Sequence, residues 1–349
     1  MNSKGRRQSF SWRKIAMRTL VYLGIGGLFA AAWLAGYALS KGPANQQEKI
    51  IITIPKGSSV RQIGHLLGDA GLIDDDIRFF LLAHLSGMAR KLQAGEFLLA
   101  SGMRPMSLIW ALSKATPVQH VITIPEGLRA TEIARIFADN GWCDARSYES
   151  LVENQAFIAK LGLHDLSSLE GYLYPDTYHL SLSMKGAESL ISLQVKRFEQ
   201  VWQELTASRP ATVDRHKTVI LASMVEKETA DPSERPLIAA VFLRRLELGM
   251  RLQSDPTVVY GIKDYPGSLT KLDLQTPTPY NTYIVPALPA GPIANPGKDA
   301  LQAVLQPVST SFLYFVSKND GTHQFSANLK EHNAAVQTYQ RKPKDKSAK

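Results

Sequence analysis

The chain has 349 residues, 44% of them hydrophobic, which suffices for two modest domains of ordinary globular composition. Of its net charge of +9, residues 1–18 carry +6 and residues 341–349 carry +4, leaving −1 for 19–340, so the folded part has no nucleic-acid footprint. The lone Cys143 excludes an intramolecular disulfide and is expected to be a small buried hydrophobe, and the eight histidines show no metal-ligand spacing, so neither a metal nor another cofactor is expected.

Leu20–Leu39 (LVYLGIGGLFAAAWLAGYAL) is 20 residues without a charge, enough to cross a bilayer as a helix. Six bases precede it and only Lys41 and Lys49 follow closely, so the N-terminus is expected inside and the rest of the chain outside. A cleaved signal peptide is the alternative. The run is longer than a normal signal core and no clean A-x-A site follows, which favours an uncleaved anchor over 19–40 behind a cytoplasmic basic segment, 1–18. Trp33 and Tyr37 suit the outer interfacial belt.

A repeat follows a short polar linker, Lys41–Glu48. Residues 51–74 and 121–144 match at a constant offset of 70: Ile54-Pro55 with Ile124-Pro125, Gly57 with Gly127, Ile63 with Ile133, Gly71 with Gly141 and Asp74 with Asp144. Each copy predicts a short strand, a Pro-x-Gly turn, an amphipathic helix and a Gly stop. The first copy opens a small βα module, 50–117, whose βααβ order and size resemble a LysM glycan-binding fold; a duplicated unit that binds nothing fits the spacing as well. The second copy opens the main domain, 118–340, and 341–349 is a solvated basic tail.

Glu170–Tyr178 (EGYLYPDTY) packs three Tyr, a Glu and an Asp around a Pro, which predicts a strand or loop displaying ring faces and carboxylates. Gly186–Leu205 reads as an amphipathic helix. The central stretch is Thr218–Ala230, TVILASMVEKETA. Ile220, Leu221, Met224 and Val225 form one apolar stripe at helical spacing, and Glu228 continues it while Glu226 lies at the opposite edge. A carboxyl group ending a core-facing stripe is desolvated, its pKa rises, and it can give a proton and take one back. A buried structural Glu paired with Arg or Lys is the alternative.

A helix is expected over Pro232–Leu248, with Arg244 and Arg245 favoured by its dipole or serving as counter-charge to a carboxylate. Met250–Gly261 (MRLQSDPTVVYG) gathers Gln253, Ser254, Asp255 and Thr257. Seven prolines between 266 and 297, around TPTPYNTY (Thr276–Tyr283), predict a long irregular but packed loop. A short helix over Asp299–Gln306, a hairpin turning at Asn319-Asp320-Gly321 and a last helix over Asn328–Gln340 complete the chain.

The candidate site residues are therefore Glu228, Glu226, Glu170, Asp176, Gln253, Asp255, Tyr174, Tyr280 and Asn281. The sequence has no Gly-rich phosphate loop and no G-x-S-x-G elbow. Carboxylates, amides and aromatics suit acid–base work on a glycan. One well-placed Glu suits a non-hydrolytic cleavage closed by a hydroxyl of the substrate itself, whereas a hydrolase would need a second carboxylate, Asp255 or Glu170.

SMVEKETA, EGYLYPDTY, MRLQSDPTVVYG and TPTPYNTY, behind one N-terminal anchor, resemble the YceG-like endolytic murein transglycosylases, most strongly from Glu170 to Phe325. The resemblance implies an α+β chain with a single transmembrane helix, a LysM-like subdomain and a mixed catalytic domain. It implies cleavage of the MurNAc–GlcNAc β-1,4 bond within nascent peptidoglycan strands, 1,6-anhydroMurNAc ends and limited strand elongation. It also implies an inner-membrane location and partnership with peptidoglycan synthases. The family's catalytic Glu falls on Glu228, and Glu170, Gln253 and Asn281 match cleft positions. Two rival readings stand beside it: a two-carboxylate glycoside hydrolase and a membrane-anchored, non-catalytic glycan-binding scaffold.

Overall fold

The computed structural model describes residues 12–43, 48–114, 118–208, 213–263 and 265–341. Most of the expected basic segment 1–18, nearly all of the tail 341–349 and the expected boundary at 117/118 lie outside them. The chain divides into two compact units, one running to His120 with Leu180–Ser183, the other comprising 121–179 and the chain from Met184 onward.

The first unit begins with α1 (Trp12–Leu39), which starts inside the segment expected to be cytoplasmic. Within it, Ile15–Leu39 is the stretch long and apolar enough to cross a membrane. Strand β1 (Lys49–Ile54) leads to α2 (Val60–Asp69), α3 (Ile77–Leu85), β2 (Gly95–Ala100) and α4 (Pro105–Lys114). The two strands pair antiparallel with Ile52 opposite Phe97 and Ile51 opposite Leu98. Strand alternation sends Ile52, Ile54, Phe97 and Leu99 into the core and turns Ile51 and Leu98 to solvent. The core closes with Ile63 and Leu67 of α2, Phe79 of α3, and Leu108, Ile109 and Leu112 of α4. Tyr37 and Ala38 of α1 belong to this core, so the C-terminal end of α1 is part of the fold.

The second unit opens with β3 (His120–Thr123) and α5 (Ala130–Asp139). Helices α2 and α5 keep the 70-residue offset at both ends. Ser59 caps α2 through its hydroxyl and Gln62, and Glu132 accepts the Arg129 N–H at the start of α5. Gly71 and Gly141 stop the two helices at φ 69° and 71°, a left-handed stop that a side chain would strain. Next come α6 (Ala145–Val152), α7 (Gln155–Lys160), β4 (Thr177–Leu180) and α8 (Ala187–Thr206). Cys143, expected to be buried, is half-buried, and burial followed by the nearby Asp144 pushes its thiol up to about 11.

Helix α9 (Arg215–Glu228) is the centre of the unit. Asp214 caps it by accepting from Lys217 N, and every residue from Thr218 to Val225 is buried. The expected single stripe is thus a helix walled on all sides, as a central helix must be. Helix α10 (Arg235–Glu247) starts later than its sequence signal, because Asp231 and Ser233 form a turn before it. Helix α11 (Asp255–Gly261) takes up the VVY segment. Helix α12 (Lys271–Gln275) is one turn inside the proline-rich stretch expected to be wholly irregular; Thr270 and Asp273 cap it reciprocally, which suffices for five residues between prolines. Helix α13 (Lys298–Leu305), the hairpin of β5 (Tyr314–Ser317) and β6 (His323–Ser326), and α14 (Leu329–Val336) end the unit.

EGYLYPDTY departs most from expectation. Glu170, Tyr172, Tyr174 and Tyr178 are all nearly solvent-free, so the rings and the carboxyl face inward rather than outward. The cause is Gly171, at φ 87°: a Cβ there would lie 2.6 Å from Pro292 and 2.7 Å from Val219, so only glycine lets this turn press onto α9 and the Pro292 segment.

Candidate active site

Glu228 is the last residue of α9, where the negative end of the helix dipole disfavours a carboxylate. It is half-buried and opens onto a cleft of about 550 Å³. Ser254 Oγ donates to Glu228 Oε1 at 2.5 Å. Burial raises the Glu228 carboxyl to about 7; the Ser254 bond and Arg245 pull it down, and Asp255 pushes it up.

Gln253 and Asp255 line the same cleft. Gln253 holds φ 52°, a left-handed conformation unusual for a side-chain-bearing residue, with its N–H on Thr282 O at 3.2 Å. Asp255 accepts from the Tyr283 hydroxyl at 2.6 Å. Arg245 also lines the cleft, but its guanidinium donates to the carbonyls of Leu313, Leu252 and Arg251. It acts on Glu228 through space, so the pairing expected of a structural Glu falls elsewhere. The far wall is the β5–β6 hairpin with Tyr314 and His323, and α14 with His332.

Glu226, two residues from Glu228, has the opposite fate. Its Oε1 accepts from Arg235 Nη2 at 2.9 Å and its Oε2 from Gly297 N at 3.0 Å, and both side chains of the ion pair are over 90% buried. Glu226 is the structural carboxylate and Glu228 the one facing the cleft.

The remaining expected residues do not line this cleft. Glu170 lies in an internal network: its oxygens accept from Ala130 N at 3.1 and 3.2 Å, from Asn295 Nδ2 at 2.7 Å and from the Tyr260 hydroxyl at 3.2 Å. Burial raises it to about 7 against these donors. Asn295 ties the network together, accepting from Gly171 N and Leu173 N at 2.9 Å and donating to Leu128 O at 3.0 Å. Asn281 is fully buried and its amide donates to the carbonyls of Asp273, Leu274 and Thr276, so it staples the proline-rich loop. Tyr280 packs on Tyr260 at 4.7 Å between ring centroids, Tyr174 lies under Arg197, and Asp176 pairs with Arg197 at 2.7 Å.

Sequence reasoning missed the roles of Ser254 and Tyr283, both inside motifs it had marked, and chose Tyr280 where Tyr283 reaches the cleft. His323 and His332 carried no signal: their placement depends on the hairpin folding back. Among the described residues no group of three or more His, Cys, Asp or Glu is placed to hold a metal ion. A carboxyl near neutrality, a hydroxyl donor, a second carboxylate and several rings around an open cleft can carry proton transfer to and from a polar polymer.

Comparison with known proteins agrees. The YceG-like family profile matches residues 52–338. An endolytic murein transglycosylase of Bacillus subtilis is 32% identical over 89% of this chain and 91% of its own length. Another, of Streptococcus pneumoniae, is 28% identical over 91% of this chain, which spans only 63% of that longer relative. The crystal structure of a YceG-like protein from Listeria monocytogenes superimposes with a TM-score of 0.54 at 31% identity, covering 83% of this chain and all of that one.

Proposed function

The chain belongs to the YceG-like family, and we propose on that premise that it cleaves the MurNAc–GlcNAc β-1,4 bond within nascent peptidoglycan strands to leave 1,6-anhydroMurNAc ends. It is a lytic transglycosylase, a lyase acting on peptidoglycan, in keeping with relatives named endolytic murein transglycosylases. The observation that carries this proposal is the contrast between two carboxyl groups on one helix. Arg235 neutralises Glu226, while Glu228 meets the cleft with a hydroxyl donor and a pKa near 7.

In this reading Glu228, protonated, gives its proton to the bridging oxygen as the bond to the MurNAc anomeric carbon breaks. The resulting carboxylate faces an oxocarbenium-like sugar. It then takes the proton of that sugar's own C6 hydroxyl as O6 closes onto the anomeric carbon. No water is consumed and Glu228 ends protonated, ready for another turn. Gln253 and Asp255 border the sugar, and Tyr283 orients Asp255. Glu170 and Asn281 support the unit from within.

The anchor reading places α1 in the cytoplasmic membrane with the bulk of the chain outside, where the substrate is made. A LysM-like glycan-holding role for the first unit, control of strand length and partnership with wall synthases belong to the same proposal.

A second reading stays open because Asp255 shares the cleft: a hydrolase that activates water. Full-length protein in detergent, given purified glycan strands in ¹⁸O-water, separates the two. Anhydro ends without solvent oxygen are expected, and Glu228→Gln should abolish them. Reducing ends carrying the label would establish hydrolysis instead, and undiminished cleavage by the variant would overturn the assignment of Glu228. A purely scaffolding role would leave Glu228→Gln cells with a wild-type wall.

A further inference from the structure

The first unit carries an apolar groove that catalysis does not use. It lies between α1 and the C-terminal end of α3, has a volume of about 270 Å³, and is walled by Gly27, Ala30, Ala31 and Leu34 on one side and Leu81 and Leu85 on the other. Ile77, Leu81 and Leu85 are spaced at i, i+4 and i+8, one stripe along α3. Ile77 is 53% exposed and Leu85 76% exposed, although a helix turned to water would carry polar residues there.

A charged boundary caps the groove. The Arg78 guanidinium lies 5.8 Å from the Trp33 ring and 4.4 Å from the Tyr37 ring and pairs with Asp74 and Asp76. Such a cluster stays at the level of headgroups and water, with the exposed Trp33 in the interfacial belt. Ile15–Leu39 has 25 residues, about 38 Å of helix, against a hydrocarbon core of about 30 Å. The surplus matches the turns that Arg78 and the core of the unit already hold. Below the boundary, Gly27 lies about 9 Å further along the helix than Trp33. That is within the roughly 5–10 Å to which an apolar helix face sinks into an interface.

We propose that the lower end of α3, with Leu81 and Leu85, is seated in the bilayer that holds α1, and that lipid acyl chains fill the groove between the two helices. This rests on the reading of α1 as a membrane anchor. Lipid is the occupant because the groove is continuous with the face of α1 that the bilayer covers, and its walls present apolar side chains without a charged one. The first unit is then a foot pressed to the membrane rather than a head on a tether.

Full-length protein carrying Cys143→Ser and a single cysteine from Leu85→Cys, Ile51→Cys or Ile25→Cys, labelled with an environment-sensitive dye, tests this. It is reconstituted in phosphatidylethanolamine–phosphatidylglycerol vesicles with and without nitroxide-labelled lipid. Unchanged melting of the position 85 variant, expected from its exposure, certifies the fold. The dye at 85 should be quenched by the nitroxide lipid and show several-fold less iodide quenching than the dye at 51. Iodide access at 85 equal to that at 51 would overturn the proposal. So would protection from both quenchers, which would mean that protein covers the site. The dye at 25 keeps the two readings apart: no lipid quenching there defeats the anchor itself, whereas lipid quenching at 25 without quenching at 85 defeats only the seating of α3.

Discussion

The Ser254 hydroxyl donates to Glu228 Oε1 at 2.5 Å, while Arg245, which lines the same cleft, gives its hydrogen bonds to the carbonyls of Leu313, Arg251 and Leu252 and to Gln253 Oε1. One neutral donor favours the carboxylate less than an ion pair does, and burial then dominates. Glu228 therefore titrates near 7, where both of its protonation states are within reach.

The pH profile follows. An acid that must be protonated to start the reaction loses kcat/KM as pH rises through about 7. Ser254 stabilises the charged form, so Ser254→Ala should move that midpoint up. Asp255 destabilises it, so Asp255→Asn should move the midpoint down. Opposite shifts in glycan-cleavage profiles are expected; midpoints unchanged in both variants would separate Glu228 from the titration.

Glu170 makes a separate prediction about stability. Its folded pKa of about 7 lies above the ordinary 4.5, so the native state binds the proton more tightly than the unfolded chain. Its contribution is complete below about 4.5 and is lost as pH rises to about 7, up to the order of 3 kcal/mol. Glu170→Gln should flatten that part of the stability curve measured by urea unfolding between pH 4.5 and 8. It should leave the midpoint of the activity profile in place, because Glu170 does not line the cleft.

Arg235→Met should cost about 3–5 kcal/mol, since it leaves the buried Glu226 charge without its partner. Adding Glu226→Gln should recover much of the loss. Denaturant melts of the two singles and the double measure the coupling, and additive costs would refute it.

Asn281→Ala should free three carbonyls of the proline-rich loop at a cost of about 1–3 kcal/mol. Limited trypsin digestion reads this directly. Faster cutting after the exposed Lys271 is expected, and an unchanged rate would mean that the loop is held by other contacts.

The local signals were the legible ones. The Gly71 and Gly141 stops and the Asn319–Gly321 turn act within a few residues, so the sequence displays them. The separation of Glu226 from Glu228 was legible too, because helical periodicity puts them on different sides. What the stripe could not reveal is that α9 is enclosed on every side. EGYLYPDTY misled because its polar atoms find partners far along the chain: of the donors to the buried Glu170, Tyr260 is 90 residues away and Asn295 is 125. The far wall of the cleft was illegible for the same reason, since His332 reaches it only through tertiary folding.

The Asn295 side chain also bears on the order of assembly. Its bonds reach back 167 residues to Leu128 and 124 to Gly171. A chain made from its N-terminus exposes the second repeat copy and EGYLYPDTY long before that amide exists. Until it arrives, Glu170 lacks one of its donors and the Gly171 turn lacks its acceptor. Contacts of such long sequence separation form slowly, so this junction of the second unit closes late. Polypeptides halted anywhere before residue 295 would lack the one side chain that joins Leu128, Glu170, Gly171 and Leu173.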